Sequence, residues 1–308
     1  MINNGIVNGL KNMRILSEAS GSLTSAYLIK AIKEAGHTAV GSDIEELTAA
    51  CCLADDFILF PKKDSPKLWE EIDALLIKYK IDIVIPSFDE MMVGWATRKE
   101  YFENKGVNII ISPVETIEIF QNKWKTYLFF KKIGTPCPST SLRQDYPLIK
   151  PIHGRGSKGI KIANEPVNME GMISQELVTG EEYTIDCFFD YKGDPVYVVP
   201  RKRLNVRNGK STKGIVIEND QIVSYVTKIA QHIELIGPIN MQCFCDGNNL
   251  KFIEVNPRIA GGMALGFAAT ENWIKLIIDN ILDKQPIKQK PIHYGLKMVR
   301  YYAECFIS

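Results

Sequence analysis

NMQCFCDGNNLKFIEVNPR, residues 240–258, is a pair of apolar-alternating runs around a DGNN turn, the pattern of a β-hairpin. The hairpin carries Gln242, Glu254, Asn256 and Arg258. Residues two apart on a strand share a face, so the Glu254 carboxylate and the Asn256 amide stand side by side with a cation two residues on. Hard oxygen donors of this kind suit Mg²⁺, which takes one or two carboxylates and completes its octahedron with waters and substrate phosphates. Glu and Asn at a strand end equally meet plain solvent, and spacing alone leaves both readings open. Register decides whether Gln242 joins them. A three-residue loop, Gly247-Asn248-Asn249, pairs Asp246 with Leu250 and sets Gln242 opposite Glu254, whereas a two-residue loop turns Gln242 away. In the three-residue register Asn240, Gln242, Phe244, Phe252, Glu254 and Asn256 share one face, with Phe244 and Phe252 as its apolar floor. Cys243, Cys245, Ile253 and Val255 then line the core face.

Outward from the hairpin, the chain divides near Pro113. From Met13 to about Ser112, short apolar runs alternate with helical patterns: strands at Arg14–Ser17, His37–Asp43, Ile81–Pro86 and Asn108–Ile111, helices at Ser22–Ala35 and Trp69–Tyr79. Such alternation implies βαβ units and a parallel, Rossmann-like sheet. The turn Ala19-Ser20-Gly21-Ser22 opens the first helix, where amides can hold an anion, but GxGxxG is missing and a dinucleotide fingerprint with it. Pro86-Ser87-Phe88-Asp89-Glu90 falls at a carboxyl strand edge where such sheets bind ligands; acidic residues favoured at a helix N-terminus explain it equally well.

Beyond Pro113, two consecutive helices (Val114–Gln121, Lys123–Ile133) lead into strands at Leu148–Pro151, Ile160–Ala163, Met172–Leu177, Glu182–Asp190 and Pro195–Pro200, then a helix at Gln221–Ile236. A helix at Asn272–Leu282 and a strand at Leu296–Ala303 follow the hairpin. The pattern is α+β, and the expected domains are 1–112, with 1–12 a flexible leader, and 113–308, with a mobile lid at about 137–178.

Composition narrows the function classes. The 308 residues are 45% hydrophobic and 24% charged, which is ordinary globular usage. A formal charge of +1 gives no general attraction to nucleic acid or membrane, so any anion site is local. Seven cysteines without CxxC spacing point to reduced, packed thiols in a cytoplasm. Neither a secretory h-region nor a run of about 20 apolar residues occurs.

That local anion site has candidates. In Lys150-Pro151-Ile152-His153-Gly154-Arg155-Gly156-Ser157-Lys158-Gly159, three glycines let backbone amides approach an anion, and Arg155 and Lys158 add charge. It is not a Walker A loop, and a basic glycine-rich turn is as readily a mobile turn. His153 reads as a surface residue. Arg201-Lys202-Arg203-Leu204-Asn205-Val206-Arg207 is either a receiver of a triphosphate or a solvated loop.

With these pieces in hand, the sequence resembles the ATP-grasp superfamily, in particular one synthetase module of the carbamoyl-phosphate synthase large subunit. The likeness runs from about Met13 to near Ala303 and rests on NKWKTYLFFKKIGTP (122–136), LIKPIHGRGSKGI (148–160), ISQELVTGEEYTID (173–186) and INMQ…FIEVNPR (239–258). It implies an N-terminal Rossmann-like domain followed by an ATP-grasp domain of two α+β subdomains. It also implies that Lys123 and Lys150 contact nucleotide and phosphate, and that Arg155, Gly156, Ser157 and Gly159 belong to the loop closing over ATP. Glu176, Leu177 and Val178 would hold the adenine edge, Glu182 the ribose, with Phe244, Phe252 and Arg203 also in the nucleotide site. Gln242, Glu254 and Asn256 match metal ligands for Mg²⁺ or Mn²⁺; Arg258, with Lys150, matches the catalytic cations.

The implied chemistry is phosphorylation of a carboxylate by ATP and attack of an amine on the acyl phosphate, with small-molecule substrates and no nucleic acid or membrane partner; a homodimer is compatible. One module without a glutaminase points to a stand-alone carboxylate–amine ligase rather than to carbamoyl phosphate. A non-catalytic nucleotide-binding regulator and a carbamoyl-phosphate synthase subunit acting with partner chains are the competing readings.

Overall fold

The structure, a computed structural model, describes residues 12–22, 25–156, 158–207, 210–247, 249–301 and 303–307. Of the expected leader, residues 1–11 lie outside the described residues. Asn12 is tied down: its Oδ1 accepts from the Thr38 backbone N–H at 3.0 Å.

Five parallel strands open the chain: β1 (Arg14–Ser17), β2 (Thr38–Asp43), β3 (Asp56–Leu59), β4 (Ile83–Ile85) and β5 (Asn108–Ile109), in the order β3-β2-β1-β4-β5. Both faces are covered. On β1, Ile15 and Leu16 are fully buried yet join different clusters, as the two-residue period of a doubly covered strand requires. The helix Ser25–Glu34 buries Leu28, Ile29 and Ile32 as an i, i+1, i+4 stripe and stops before Gly36, whose φ of +84° suits glycine. The strand β3 has no counterpart in the sequence reading.

A four-stranded antiparallel sheet follows, in the order β6-β9-β7-β8: β6 (Thr140–Ser141), β7 (Leu148–Pro151), β8 (Lys161–Ile162) and β9 (Met172–Gln175). The remaining strands form a six-stranded antiparallel sheet, in the order β14-β13-β10-β11-β12-β15: β10 (Glu181–Phe189), β11 (Pro195–Arg207), β12 (Lys210–Val216), β13 (Gly237–Asp246), β14 (Asn249–Asn256) and β15 (Lys297–Val299). On β10, Ile185, Cys187 and Phe189 face the helices Val114–Gln121, Lys123–Ile133 and Asp220–Ala230 in one cluster. Phe188 faces the other way, into a cluster that also holds Ile15 and Ile83 of the first sheet, Leu28 of the helix packed on it and Ile110 just after β5, with Met263, Leu265 and Trp273. One continuous apolar core therefore joins the parallel sheet to the six-stranded sheet.

Two expectations are corrected here. Arg201–Arg207 is no loop; it continues β11, which runs from Pro195 and pairs with β12. Three of its charges are met across the sheet. Arg201, 1% exposed, bonds the buried Asp186 at 2.9 Å, Lys202 pairs with Glu181, and Arg203 pairs with Glu182. Arg201, Lys202 and Arg203 are thus each met by an acid of β10, and the side chains of residues 205–207 lie outside the described residues. The Ala19–Ser22 turn likewise has its anion built in: Gly21 N–H donates to Asp43 Oδ2 at 2.7 Å.

Candidate functional site

The hairpin tip closes with two residues, since Asp246 pairs with Asn249 around Gly247, whose φ is +60°. The expected three-residue loop is not formed. Taken alone, the shorter loop would turn Gln242 from Glu254, yet the two are partners in the ladder. A bulge reconciles them. Cys243 pairs with Phe252 and Gln242 with Glu254, which leaves Ile253 as the extra residue, and one extra residue reverses the facing of whatever lies beyond it.

The bulge exchanges the roles of two neighbours. Phe252, expected on the nucleotide floor, is fully buried in the core cluster, edge-on to Phe130 and Tyr225 with centroids 6.1 Å away in each case. Ile253, expected in the core, lines the cleft instead. Phe244 is half-buried on Gln242's face, between Glu182 and Lys251 in the ladders. Phe252→Leu should therefore lower stability by about 1–2 kcal/mol, the cost of a shrunken core aromatic, and leave nucleotide affinity unchanged. Urea melts and calorimetric titration with Mg-ADP check both halves; a weakened affinity at unchanged stability would restore Phe252 to the floor.

Glu254, Asn256 and Ile253 line a cleft of about 280 Å³ with Asp89, Glu90, Lys123, His153, Gly154 and Arg155. A larger hollow, about 540 Å³, lies at the β10–β11 turn among Tyr191, Lys192 and Asn280 and contains none of the expected site residues. The smaller cleft is where the chemistry collects. Lys123 opens the helix Lys123–Ile133, positioned by the Asn122 cap that accepts from Lys125 N–H at 2.9 Å, and its Nζ donates to Gly154 O at 2.8 Å. Lys150, on β7 and 7% exposed, donates to Gln175 Oε1 at 2.7 Å.

Burial lowers the pKa of both lysines, opposed by the Glu254 carboxylate; for Lys150, where Lys123 adds to the lowering, it falls to about 8. Glu254 thus lies within electrostatic reach of two ammoniums without closing an ion pair to either, Asp89 also acts on Lys123, and the two lysine charges in a poorly solvated corner favour an anionic occupant. Among the described residues the Glu254 and Gln242 side chains have no hydrogen-bond or ion-pair partner, so two facing oxygen donors stand uncommitted. That donor set fits a hard cation sharing its sphere with phosphate oxygens. No group of three His, Cys, Asp or Glu among the described residues could hold a metal by itself.

The glycine loop leans on the first domain. Gly154, Gly156 and Gly159 take φ of +114°, +64° and +74°, which a β-carbon would strain. Arg155 lies 3.3 Å from Glu90 Oε2 and 3.7 Å from Asp89 Oδ2, with its guanidinium 4.5 Å over the Phe88 ring. Ser157 lies outside the described residues. Arg258 reaches the same acid from the hairpin: Nε and Nη2 donate to the two Asp89 oxygens at 2.7 Å each, and Nη2 also reaches Asn256 Oδ1 at 3.3 Å. Burial weakens the Arg258 charge and Asp89 restores it, leaving the guanidinium more basic than usual. The Pro86–Glu90 edge thus belongs to the cleft.

Behind it stands Glu18, 4% exposed, which accepts from Ser87 N–H at 2.8 Å, Phe88 N–H at 2.9 Å and Trp95 Nε1 at 2.7 Å, its pKa raised by burial. Glu18 and Gln175 have no place in the sequence reading, and Asp89 enters it only as part of the Pro86–Glu90 edge. Glu18 follows β1 directly, at a carboxyl strand end, and that position was the available signal.

The remaining expected residues lie farther along. Glu176 pairs with Lys251 and accepts from Ser139 N–H at 3.1 Å, so its carboxylate is engaged. Leu177 is 49% exposed and Val178 half-buried in the β9–β10 connection. Glu182 is held by Arg203. His153 is exposed, its Nδ1 3.1 Å from Gln121 O.

Comparison with known proteins follows the same division. Residues 168–303 match a family described as ATP-grasp in the biosynthetic pathway with Ter operon, and residues 19–110 match the PylC-like N-terminal domain. The chain is 23% identical to carbamoyl-phosphate synthase of Methanobrevibacter smithii over 264 residues, 75% of this chain and 70% of that protein. The biotin carboxylase domain of Hydrogenobacter thermophilus 2-oxoglutarate carboxylase, solved with MgADP, ADP and bicarbonate, superposes with a TM-score of 0.72 at 19% identity, covering 92% of this chain and 73% of that one. N5-carboxyaminoimidazole synthetase of Staphylococcus aureus gives 0.69 at 20%, covering 91% and 80%.

Proposed function

We infer, from the premise that this chain is an ATP-grasp protein resembling a single synthetase module of carbamoyl-phosphate synthase, that it is an ADP-forming, Mg-dependent ligase joining a carboxylate to an amine. The observation that carries the reading is the corner where Glu254, paired with Gln242 across the ladder and otherwise unpartnered among the described residues, lies within electrostatic reach of Lys123 and Lys150. It supports a triphosphate held by the two ammoniums and a metal held by Gln242, Glu254 and Asn256. When bound, Mg²⁺, or Mn²⁺ in its stead, would neutralise charge on the phosphates being parted.

The chain's own groups account for the rest. Lys150 and Lys123 orient the phosphates from a poorly solvated position where their charge counts for more than in water. Arg258, fixed by Asp89, faces the reacting end and stabilises the oxygens of the acyl phosphate. The glycine loop shields that intermediate from hydrolysis. Glu182, Phe244 and the Glu176–Val178 connection border the nucleoside end.

Seven free thiols support a cytoplasmic protein, acting as a monomer or homodimer. Among the described residues no helix is long and apolar enough to cross a membrane. The test is ADP and phosphate release with Mg-ATP across a grid of carboxylates, including bicarbonate and amino acids, and of amines. Release that needs both partners is expected. If no carboxylate provokes ADP formation while Mg-ATP binds tightly, the ligase reading fails and a nucleotide-binding regulator takes its place.

A further inference from the structure

We propose that Asp89 is a positioning residue for Arg258 and, together with Glu90, the latch of the glycine loop, so that one acid of the first domain sets both the transfer end of the cleft and the loop above it. The role given to Arg258 rests on the ligase reading; the latch does not.

The two arginines meet Asp89 on unequal terms. Arg258 takes both carboxylate oxygens in a parallel fork at 2.7 Å, with its side chain 13% exposed and a third bond to Asn256. A fork of this kind fixes the plane of the guanidinium as well as its position. Arg155 is 42% exposed, 3.7 Å from Asp89 and 3.3 Å from Glu90, and stacked on Phe88. Contacts so exposed hold only weakly. Arg258 therefore stays and Arg155 exchanges.

Asp89 can serve as a fixed point because its surroundings are over-determined. Glu18 anchors the two preceding backbone amides, Ser87 Oγ donates to Glu18 O at 2.6 Å, and Gln121 Nε2 donates to the Asp89 carbonyl. The apolar core shared by the two sheets removes slack between them. An arriving triphosphate gives Arg155 a stronger partner than Glu90 and an Asp89 already forked to Arg258. Once Arg155 leaves, Asp89 serves Arg258 alone, so nucleotide capture and firm orientation of Arg258 become one event.

An arginine-specific protease reads the latch at the Arg155–Gly156 bond, with fragments 1–155 and 156–308 quantified by mass spectrometry. The nucleotide-free Asp89→Asn/Glu90→Gln protein should be cut about 10-fold faster than wild type, the factor expected for losing contacts worth about 1–2 kcal/mol. A non-hydrolysable ATP analogue with Mg²⁺ should restore protection. Equal cutting of wild type and variant overturns the latch.

Positioning is read separately. Asp89→Asn should keep Mg-ADP affinity within about twofold while ADP release, with bicarbonate and the standard amino acids supplied together, falls about 10- to 100-fold, the scale of a misplaced catalytic group. Asp89→Glu should recover part of it. In an Arg258→Ala background Asp89→Asn should cost nothing further, and additive losses would overturn the positioning role. Protease protection and Mg-ADP affinity need no turnover, so a wild type without ADP release would count against the ligase reading while leaving the latch measurable.

Discussion

Glu254→Gln combined with Asn256→Ala should reduce Mg-dependent ADP formation by roughly three orders of magnitude, because the metal's contribution to phosphoryl transfer is several kcal/mol and each 1.4 kcal/mol is tenfold. The first substitution keeps the side chain's shape and one oxygen but removes its charge, and the second deletes the neighbouring amide oxygen. Folding should change little. Both residues stand at the end of β14 beside the cleft, and water can enter where their oxygens were. A small destabilisation is expected because Lys150 loses the carboxylate that offsets the cost of its burial. The check is a coupled ADP assay with a Mg²⁺ titration beside a thermal melt; wild-type turnover in the double variant would refute the metal assignment.

Lys150→Met should cost about 10²- to 10³-fold in kcat/KM, the usual scale for deleting one preorganised charge at a transferring group. The same variant should be more stable than wild type at pH 7. Burial lowers the folded pKa of Lys150 to about 8, below the ordinary value of 10.5, so folding at neutral pH confines a charge that the unfolded chain carries freely. Between those two values the unfolded state binds more protons, so the Lys150 share of stability is unfavourable below pH 8 and recovers as pH rises toward 10.5. Nucleotide affinity runs the opposite way. Above a pH of about 8 the free enzyme loses the ammonium, and Mg-ADP binding should weaken from about pH 7 to about pH 9. Thermal melts and titration calorimetry across that range test both signs. A Lys150→Met protein with unchanged melting and wild-type affinity would remove this residue from the site.

The sequence was most informative where local chemistry and tertiary structure agree. The Asn122 cap and the Gly134 stop bound the helix Lys123–Ile133 at both ends, and β1 and β7 run over the residues expected of them, Arg14–Ser17 and Leu148–Pro151. The chemistry of FIEVNPR and of the glycine loop named the cleft. The strand β12, KSTKGIV, was not legible because five of its seven residues are polar or glycine and pairing with β11 decides its state. The Arg258–Asp89 fork joins residues 169 apart, and nothing local to PSFDE distinguishes an acid that clasps an arginine from one that begins a helix. Phe252 was misread for a different reason: its facing depends on the placement of a bulge, and no residue preference near Ile253 announces one.

That bulge also says what the hairpin must preserve. Between Gln242 and Glu254 lie eleven residues, 243–253, and an odd number forces one of them to go unpaired somewhere. Left at the tip, the odd residue would make a three-residue loop; moved to Ile253, it makes a bulge and a tighter turn. Gln242 meets Glu254 either way, and only the segment between tip and bulge changes sides. The Gln242–Glu254 pairing is therefore held from the strands outside the bulge, and the one odd residue can sit at the tip or at Ile253 without disturbing it.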